Sequence, residues 1–387
     1  MFRRVARNIY LLGLLSFFND VTSDMITPLL PAFLGTMGLG AAFLGVMEGL
    51  ASSLSYVTVL LSGWYVDRRG ESKRVTVFGY RLCAFVRPLI AVPLPGFVLL
   101  ARLVDRIGKG IRTAPRDLLI TASAEKKSWG EAFGIQRAMD HAGALIGPPV
   151  AALLISAYSL NLSALFLIAC LPSIAAVLLI PRRIRDVPIR SGGEKIRLSW
   201  RALPRPLRRY TIIIFLSALT TPSELFLILK MRELGMEEYQ APLAWFLLTL
   251  FTLVAAYGGG LLSDRWSRRG TIGLGWAVYA LVFAGFAFNA NLAWSWVLMA
   301  AYGLHMGLVE SAERTYPALI ARPEMRATAL GWYYFAYGLG LLPASVLFGL
   351  LWNFWGSKEA FLLVSGLTLV VTGLLSCLPS DRRGSSS

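Results

Sequence analysis

The stretch Leu99–Ile120, LLARLVDRIGKGIRTAPRDLLI, sets Arg102, Asp105, Arg106, Lys109, Arg112, Arg116 and Asp117 among strongly apolar neighbours. On a helix advancing 100° per residue, these charges occupy an arc of roughly 140°. Leu103, Val104, Ile107, Ile111, Ala114 and Leu118 take the opposite side. A surface helix of a soluble protein has the same pattern, so the flanking sequence decides between the two. Apolar spans adjoin the stretch on both sides with almost no polar loop between. In a bilayer, each charge exposed to lipid would cost roughly 2.5–3.5 kcal/mol. The charged face therefore looks into protein or a water-filled cavity. The expectation is a membrane protein with a charged interior.

Composition agrees. The chain has 387 residues, 56% of them hydrophobic, with a mean hydropathy of +0.60. A crossing helix takes about 20 residues, which leaves room for a dozen. The net charge of +16 would suit nucleic acid, but most of it falls in short loops on one side of the proposed membrane, so no nucleic-acid partner is expected. Cys83, Cys170 and Cys377 all lie in apolar spans. They are odd in number and stand in no redox or metal spacing, so no disulfide framework is implied. Arg3, Arg4 and Arg7 precede an apolar stretch too long for a signal-peptide core, and no cleavable leader is expected.

Twelve spans are predicted, at about 8–36, 41–66, 74–95, 97–122, 130–157, 160–180, 209–232, 239–263, 270–290, 292–320, 326–353 and 358–379. The segment 181–209 holds ten Lys and Arg, and the connections at 66–74 and 263–269 are basic too. The alternate connections near 37–40, 95–97, 158–160 and 290–292 hold none. Both termini and the central segment are then cytoplasmic. Lys230, Arg232 and Lys358 are too few on the outside to reverse this. Pro181, Pro188, Ser191-Gly192-Gly193, Pro204 and Pro206 mark a linker. The expected division is an N-terminal six-helix bundle at 1–180, a basic cytoplasmic linker at 181–208 and a C-terminal six-helix bundle at 209–387.

The two halves repeat. Gly63-Trp-Tyr-Val-Asp67-Arg68 returns as Gly260-Leu-Leu-Ser-Asp264-Arg265 at an offset of 197. Gly134 and Gly143 match Gly331 and Gly340 at the same offset, and Arg112-Thr-Ala-Pro115 echoes Arg314-Thr-Tyr-Pro317 at 202. Several matches in order at nearly one offset indicate internal duplication.

These features together resemble the major facilitator superfamily over essentially the whole chain. Gly63-x-x-x-Asp67-Arg68-x-Gly70 is similar to the superfamily's loop motif between helices 2 and 3, with Glu71-Ser72 displacing the usual basic pair to Lys73-Arg74. The second copy keeps its basic pair and has Ser267 for that glycine. The resemblance implies that Asp67 latches one conformation by pairing with nearby basic residues and a helix end. A purely topogenic loop is the plainer alternative. In the fifth span, Gly134-(x)8-Gly143-(x)3-Gly147-Pro148-x-x-Ala151-Ala152 resembles the motif of the superfamily's proton-coupled exporters, with two alanines where two glycines are usual. Glycines at this spacing admit a neighbouring helix, and Pro148 bends the span. Ordinary small-residue packing would look alike. The implied fold is all-α, with twelve transmembrane helices in two pseudo-symmetric six-helix bundles.

The resemblance also implies that spans 1, 4, 7 and 10 line the central cavity. Span 1 has Asn19, Asp20, Ser23 and Asp24, the two acids one turn apart. Span 2 has Glu48 and span 5 has Arg137, Asp140 and His141. Span 7 has Glu224, and span 10 has His305, Glu310, Glu313 and Arg314. Two readings compete. In one, the acids only neutralise the basic face of span 4. In the other, an acid takes up and releases a proton on opposite sides of the membrane, releasing substrate as it does so. Drug exporters of this superfamily often carry an essential acid in helix 1 and an arginine in helix 4, and here either Arg102 or Arg106 matches the latter. The second reading assigns proton coupling to Asp20, Asp24, Asp140 and His141. It assigns substrate contacts to Asn19, Arg102, Arg106, Lys109, Arg112, Glu224, Glu310 and Tyr337. The conformational motifs are Gly63, Asp67, Arg68, Asp264, Arg265, Gly143, Gly147 and Pro148. Trp332, Tyr333, Tyr334 and Tyr337 form an aromatic stripe that serves either a ligand or packing.

No zinc spacing, phosphate-binding loop or nucleophile elbow occurs, so neither enzyme chemistry nor a cofactor or metal is expected. The expected function is proton-coupled export of a small organic solute across a bacterial-type inner membrane, by alternating access and as a monomer. Arginine forks favour a solute bearing a carboxylate or phosphate. An organic-anion importer or exchanger is the alternative within transport. A non-transporting sensor would be expected to append a signalling domain after the last span.

Overall fold

The structure is a computed structural model and describes residues 7–125, 128–185, 200, 203–265, 267–321 and 326–378. Among the described residues it is all helical, without a strand. The first half runs α1 (Arg7–Ile26), α2 (Leu30–Thr36), α3 (Ala41–Arg69), α4 (Ser72–Val86), α5 (Pro95–Ala122), α6 (Trp129–Tyr158) and α7 (Leu162–Leu179). The second half runs α8 (Arg205–Leu219), α9 (Leu225–Glu233), α10 (Gln240–Arg265), α11 (Arg268–Phe288), α12 (Leu292–Ile320), α13 (Arg326–Trp355) and α14 (Ser357–Leu374).

Eight of these are long and apolar enough to cross a membrane: α3, α6, α7, α10, α11, α12, α13 and α14. The other predicted spans depart from that standard for visible reasons. Three are interrupted where proline withholds an N–H from the helix ladder. Thr27–Leu29, with Pro28, separates α1 from α2. Arg87–Ala91, with Pro88, follows α4 after 15 residues. Residues 220–224, with Pro222, separate α8 from α9. The fourth, α5, is continuous over 28 residues but carries the charges of the opening stretch. Large apolar side chains stay exposed on the outer surfaces, Leu171 to 61% and Leu281 to 71%. Burial in lipid replaces burial in protein there.

The chain forms two compact units, one of Met1–Leu39, Leu50–Glu194 and Glu237–Phe246, the other of Gly40–Gly49, Lys195–Met236 and Leu247–Ser387. In the first, Ile9, Leu12 and Leu15 of α1 pack with Tyr80 and Ala84 of α4, Leu119 and Ile120 of α5 and Ala176 of α7. In the second, Tyr210 and Ile214 of α8 pack with Ile272 and Trp276 of α11, Ala312 and Tyr316 of α12 and Tyr333 of α13.

The sequence repeat is also a repeat of contacts. A Cβ added to Gly143 of α6 would fall 2.4 Å from the Phe17 carbonyl oxygen of α1, and one on Gly340 of α13 would fall 3.0 Å from that of Phe215 in α8. A Cβ on Gly110 of α5 would meet Ser55 O at 2.5 Å in α3, and one on Gly307 of α12 would meet Thr252 O at 2.4 Å in α10. Each position and its counterpart differ by 197 or 198 residues. Helices in each unit approach closely because the glycines present no side chain.

Candidate functional site in the first unit

α5 sorts its charges by angle. Arg102, Asp105, Arg112 and Arg116 are buried, while Arg106 and Asp117 are half-buried and Lys109 is exposed. The buried group is tied to neighbouring helices, although Arg112 Nε has no hydrogen-bond partner among the described residues. Arg87 Nε donates to Asp105 Oδ1 at 2.8 Å, and Arg87 Nη1 to the Asn19 carbonyl at 3.0 Å. Cys83 Sγ donates to the Asp105 carbonyl at 3.3 Å, and Arg102 Nη1 to Thr27 Oγ1 at 3.4 Å. Arg87 therefore ties the end of α4 to both α1 and α5. Such a pair is costly to desolvate and costlier to break.

Nearer the other end of α5, Arg112 Nη2 stands 3.6 Å from Asp20 Oδ1, and its guanidinium lies 4.3 Å from the centre of the Tyr80 ring. Asn19 Nδ2 donates to the same Asp20 oxygen at 3.1 Å. Arg116 Nη1 reaches Asp140 Oδ2 at 3.6 Å and donates to Ser16 Oγ at 3.1 Å. Arg116 also donates to Asp117 Oδ1, from Nε at 3.2 Å and from Nη2 at 3.1 Å. Gln136 Nε2 donates at 2.8 Å to both Ser16 Oγ and Asp140 Oδ1. The Ser16 hydroxyl is also hydrogen-bonded to that of Tyr80. Four helices, α1, α4, α5 and α6, thus share one polar network inside a membrane protein.

Asp24 is half-buried. Asp20, Lys109 and Arg106 act on it electrostatically, and the Trp245 side chain at the start of α10, in the same unit, hydrogen-bonds to it. Lys109 in turn feels Arg106, Asp20, Arg112 and Asp24. The first unit therefore brings Asn19, Asp20, Asp24, Arg102, Arg106, Lys109, Arg112 and Asp140 to one side of α5. His141 follows Asp140 but has no polar partner among the described residues. Gly143 and Gly147 lie against the α1 backbone at Phe17 and Val21 and carry α6 up to the acids of α1. Pro148 sits within α6 without interrupting it.

The motif at the end of α3 is described in part. Gly63 packs against Ala114 of α5, and the Arg68 guanidinium lies 4.1 Å from the centre of the Trp64 ring. The side chains of Asp67, Asp264, Arg265 and Arg314 lie outside the described residues, as does most of the 181–208 linker.

The second unit has a different interior. Glu313 of α12 accepts from Trp276 Nε1 at 2.7 Å and from the Tyr333 hydroxyl at 3.3 Å, and Tyr210 donates to its carbonyl. His305 Nδ1 is 2.7 Å from the Gly275 carbonyl, and the Tyr279 hydroxyl donates to the Thr220 carbonyl at 2.7 Å. Tyr337 stacks on Tyr333 at 6.0 Å and lines a small cavity with His305 and Glu313. Glu310 is half-buried on α12, and Glu224 directly precedes α9. The charge of Glu224 acts on Tyr279 and Tyr302.

Sequence reasoning misses Ser16, Tyr80, Arg87, Gln136 and Trp245. A signal existed for Arg87 and Gln136, which are charged or amide groups in the middle of apolar spans. Ser16, Tyr80 and Trp245 are unremarkable residues for a membrane helix.

Known proteins place the whole. Residues 12–345, and again 225–386, match the family model described as Major Facilitator Superfamily. An uncharacterised MFS-type transporter of Methanocaldococcus jannaschii is 33% identical over 383 residues, covering 96% of this chain and 95% of its own length. The crystal structure of the nucleoside transporter NupG superposes with a TM-score of 0.79 at 15% identity, over 96% of this chain and 98% of that one. The human organic anion transporter MFSD10 superposes with a TM-score of 0.67 at 16% identity, over 95% and 99%. This chain belongs to the Major Facilitator Superfamily, a multi-pass membrane transporter and not an enzyme.

Proposed function

We propose that the protein is a proton-coupled secondary transporter that exports a small organic solute, preferably one bearing a carboxylate or phosphate, by alternating access. The observation that carries this reading is the set of half-buried and exposed charged groups on α1 and α5. The carboxylates of Asp20 and Asp24 share their surroundings with Arg106 and Lys109. An anionic group of a solute and a protonated carboxylate are alternative ways to balance the same cations. Binding of one therefore favours loss of the other, which is the linkage an antiporter needs. Arg106 and Lys109 are the solute-facing cations, Asp24 is the proton carrier, and Asp20 and Asp140 hold Arg112 and Arg116 in place. The likeness to NupG and MFSD10, a nucleoside and an organic anion transporter, keeps both solute kinds in the test panel.

The reading includes the drug/proton antiporter-like branch, twelve crossings in two six-helix bundles, cytoplasmic termini, an inner-membrane location and a monomer. It also includes a latch at Asp67, for which Asp67→Asn is expected to slow transport while leaving solute binding measurable. The deciding experiment is transport in proteoliposomes under an imposed proton gradient, with a panel of organic anions, nucleosides and neutral drugs. Gradient-driven movement of an anion against its concentration supports the proposal. Movement that ignores the gradient, or a panel in which only neutral compounds compete, overturns the coupling or the solute class respectively.

A further inference from the structure

Away from the charged interior, the end of α3 and the start of α4 enclose a cleft of about 1020 Å³ that also reaches Pro181 and Arg182 beyond α7. Its floor and walls are apolar, with Leu61 and Phe78 exposed to 59% and 55%. Among the described side chains, its rim holds Lys73, Arg74, Arg81 and Arg182 against a single acid, Glu71. Arg74 pairs with Glu71 at 3.4 Å, so three cations remain in excess.

Arg81 is the informative one. It lies nine residues beyond Ser72, the first residue of α4, about 13 Å along the helix. It shares an exposed face with Phe78 and Phe85 and has no carboxylate partner among the described residues. An arginine among lipid-facing phenylalanines needs an anion or the polar boundary within reach of its stem. The duplication does not require it, because the equivalent stretch of α11, Ala277–Val278, is uncharged. Trp64 and Tyr65, both exposed and lining the same cleft, are the side chains that gather at the membrane–water boundary.

We propose that this cleft binds an anionic glycerophospholipid. Its phosphate sits between Lys73 and Arg182, Arg81 meets it from the membrane side, and the upper acyl chain lies on Leu61 and Phe78. A cleft that is greasy within and cationic at its rim matches a molecule with an anionic head on an apolar tail. The inference rests on the multi-pass membrane placement and is independent of proton coupling.

The test uses the full-length protein, purified in detergent, delipidated, and offered phosphatidylglycerol or phosphatidylcholine, with retained lipids counted by native mass spectrometry. Wild type is expected to prefer phosphatidylglycerol by roughly 25-fold, about fivefold for each of two cations. Arg81→Gln combined with Arg182→Gln is expected to abolish that preference, and Arg81→Lys to keep most of it. Equal retention of the two lipids by wild type, or an unchanged preference in the double variant, overturns the proposal. Displacement of phosphatidylglycerol by millimolar inorganic phosphate reassigns the rim to free phosphate and also overturns it. A second measurement leaves every cation intact. Brominated phosphatidylglycerol is expected to quench the tryptophan fluorescence of wild type more than that of Trp64→Phe, and equal quenching counts against the site.

Discussion

Asp24 and Asp105 are both aspartates on helices that bound one interior, yet they are built for different work. Asp105 is buried, bonded to Arg87 at 2.8 Å and enclosed by α4 and α5. Replacing Arg87 with Met strands that carboxylate and is expected to destabilise the protein by about 3–5 kcal/mol. Arg87→Met with Asp105→Leu is expected to regain most of the loss, read as thermal unfolding in detergent. A double variant no better than the single would mean that the Asn19 contact, not the ion pair, is what Arg87 supplies. Asp24 is half-buried, with Arg106 and Lys109 acting on it and Trp245 hydrogen-bonded to it. Asp24→Asn is expected to abolish gradient-driven transport while solute exchange across the membrane persists. Full gradient-driven transport in that variant would leave Asp24 as a counter-ion. Asp24 is legible in the sequence as a mid-span acid on the first span. Its distinction from Asp105 is not legible, because it depends on which side of the α5 arc each faces.

At the scale of elements, eight of the twelve predicted spans are helices long and apolar enough to cross a membrane. These are legible in hydropathy because lipid demands about 20 apolar residues whatever the fold. The interruptions in three of the others are not. Pro28, Pro88 and Pro222 accompany breaks, whereas Pro115, Pro148, Pro172, Pro317 and Pro343 lie inside continuous helices. The proline alone does not decide, because neighbouring helices can re-satisfy the freed carbonyl. The glycine spacing of the fifth span is more informative, and its partner is α1. Gly143→Leu puts a side chain where Phe17 O already stands within 2.4 Å of the Cβ position. It is expected to force α6 from α1, separate Asp140 from Arg116, and lower the yield of folded protein at least severalfold. Gly134→Leu is the control, because nothing lies within 4 Å of that Cβ position. Equal loss in both would mean that helix propensity, not packing, is responsible.

At the scale of the whole chain, duplication has kept the contacts and changed their chemistry. At the offset of 197 that the helix contacts share, rather than the 202 of the Arg112–Arg314 match, Asp105, Arg112 and Arg116 correspond to Tyr302, Val309 and Glu313, and Asp140 corresponds to Tyr337. One unit has a charged interior and the other an aromatic one held by hydroxyl and indole donors to Glu313. This asymmetry is readable once the offset is applied, residue against residue. Orientation is the remaining property of the whole. A cysteine introduced at Ser191 is expected to react with an impermeant thiol reagent only from the cytoplasmic side, and labelling from the opposite face would reverse the assignment of both termini.

α5 also constrains how the protein is made. As it leaves the ribosome, a 28-residue helix with seven charges is a poor candidate for one-by-one partition from the translocon into lipid. Most of its partners have been synthesised by then. Ser16, Asp20 and Thr27 precede it on α1 and the turn that follows, and Tyr80 and Arg87 precede it on α4 and the turn after it. Asp140 and Trp129, which donates to the Thr121 carbonyl, arrive later on α6. The nascent α5 is thus received by earlier helices that already offer counter-charges, and the order of the gene is also the order in which its charges are neutralised.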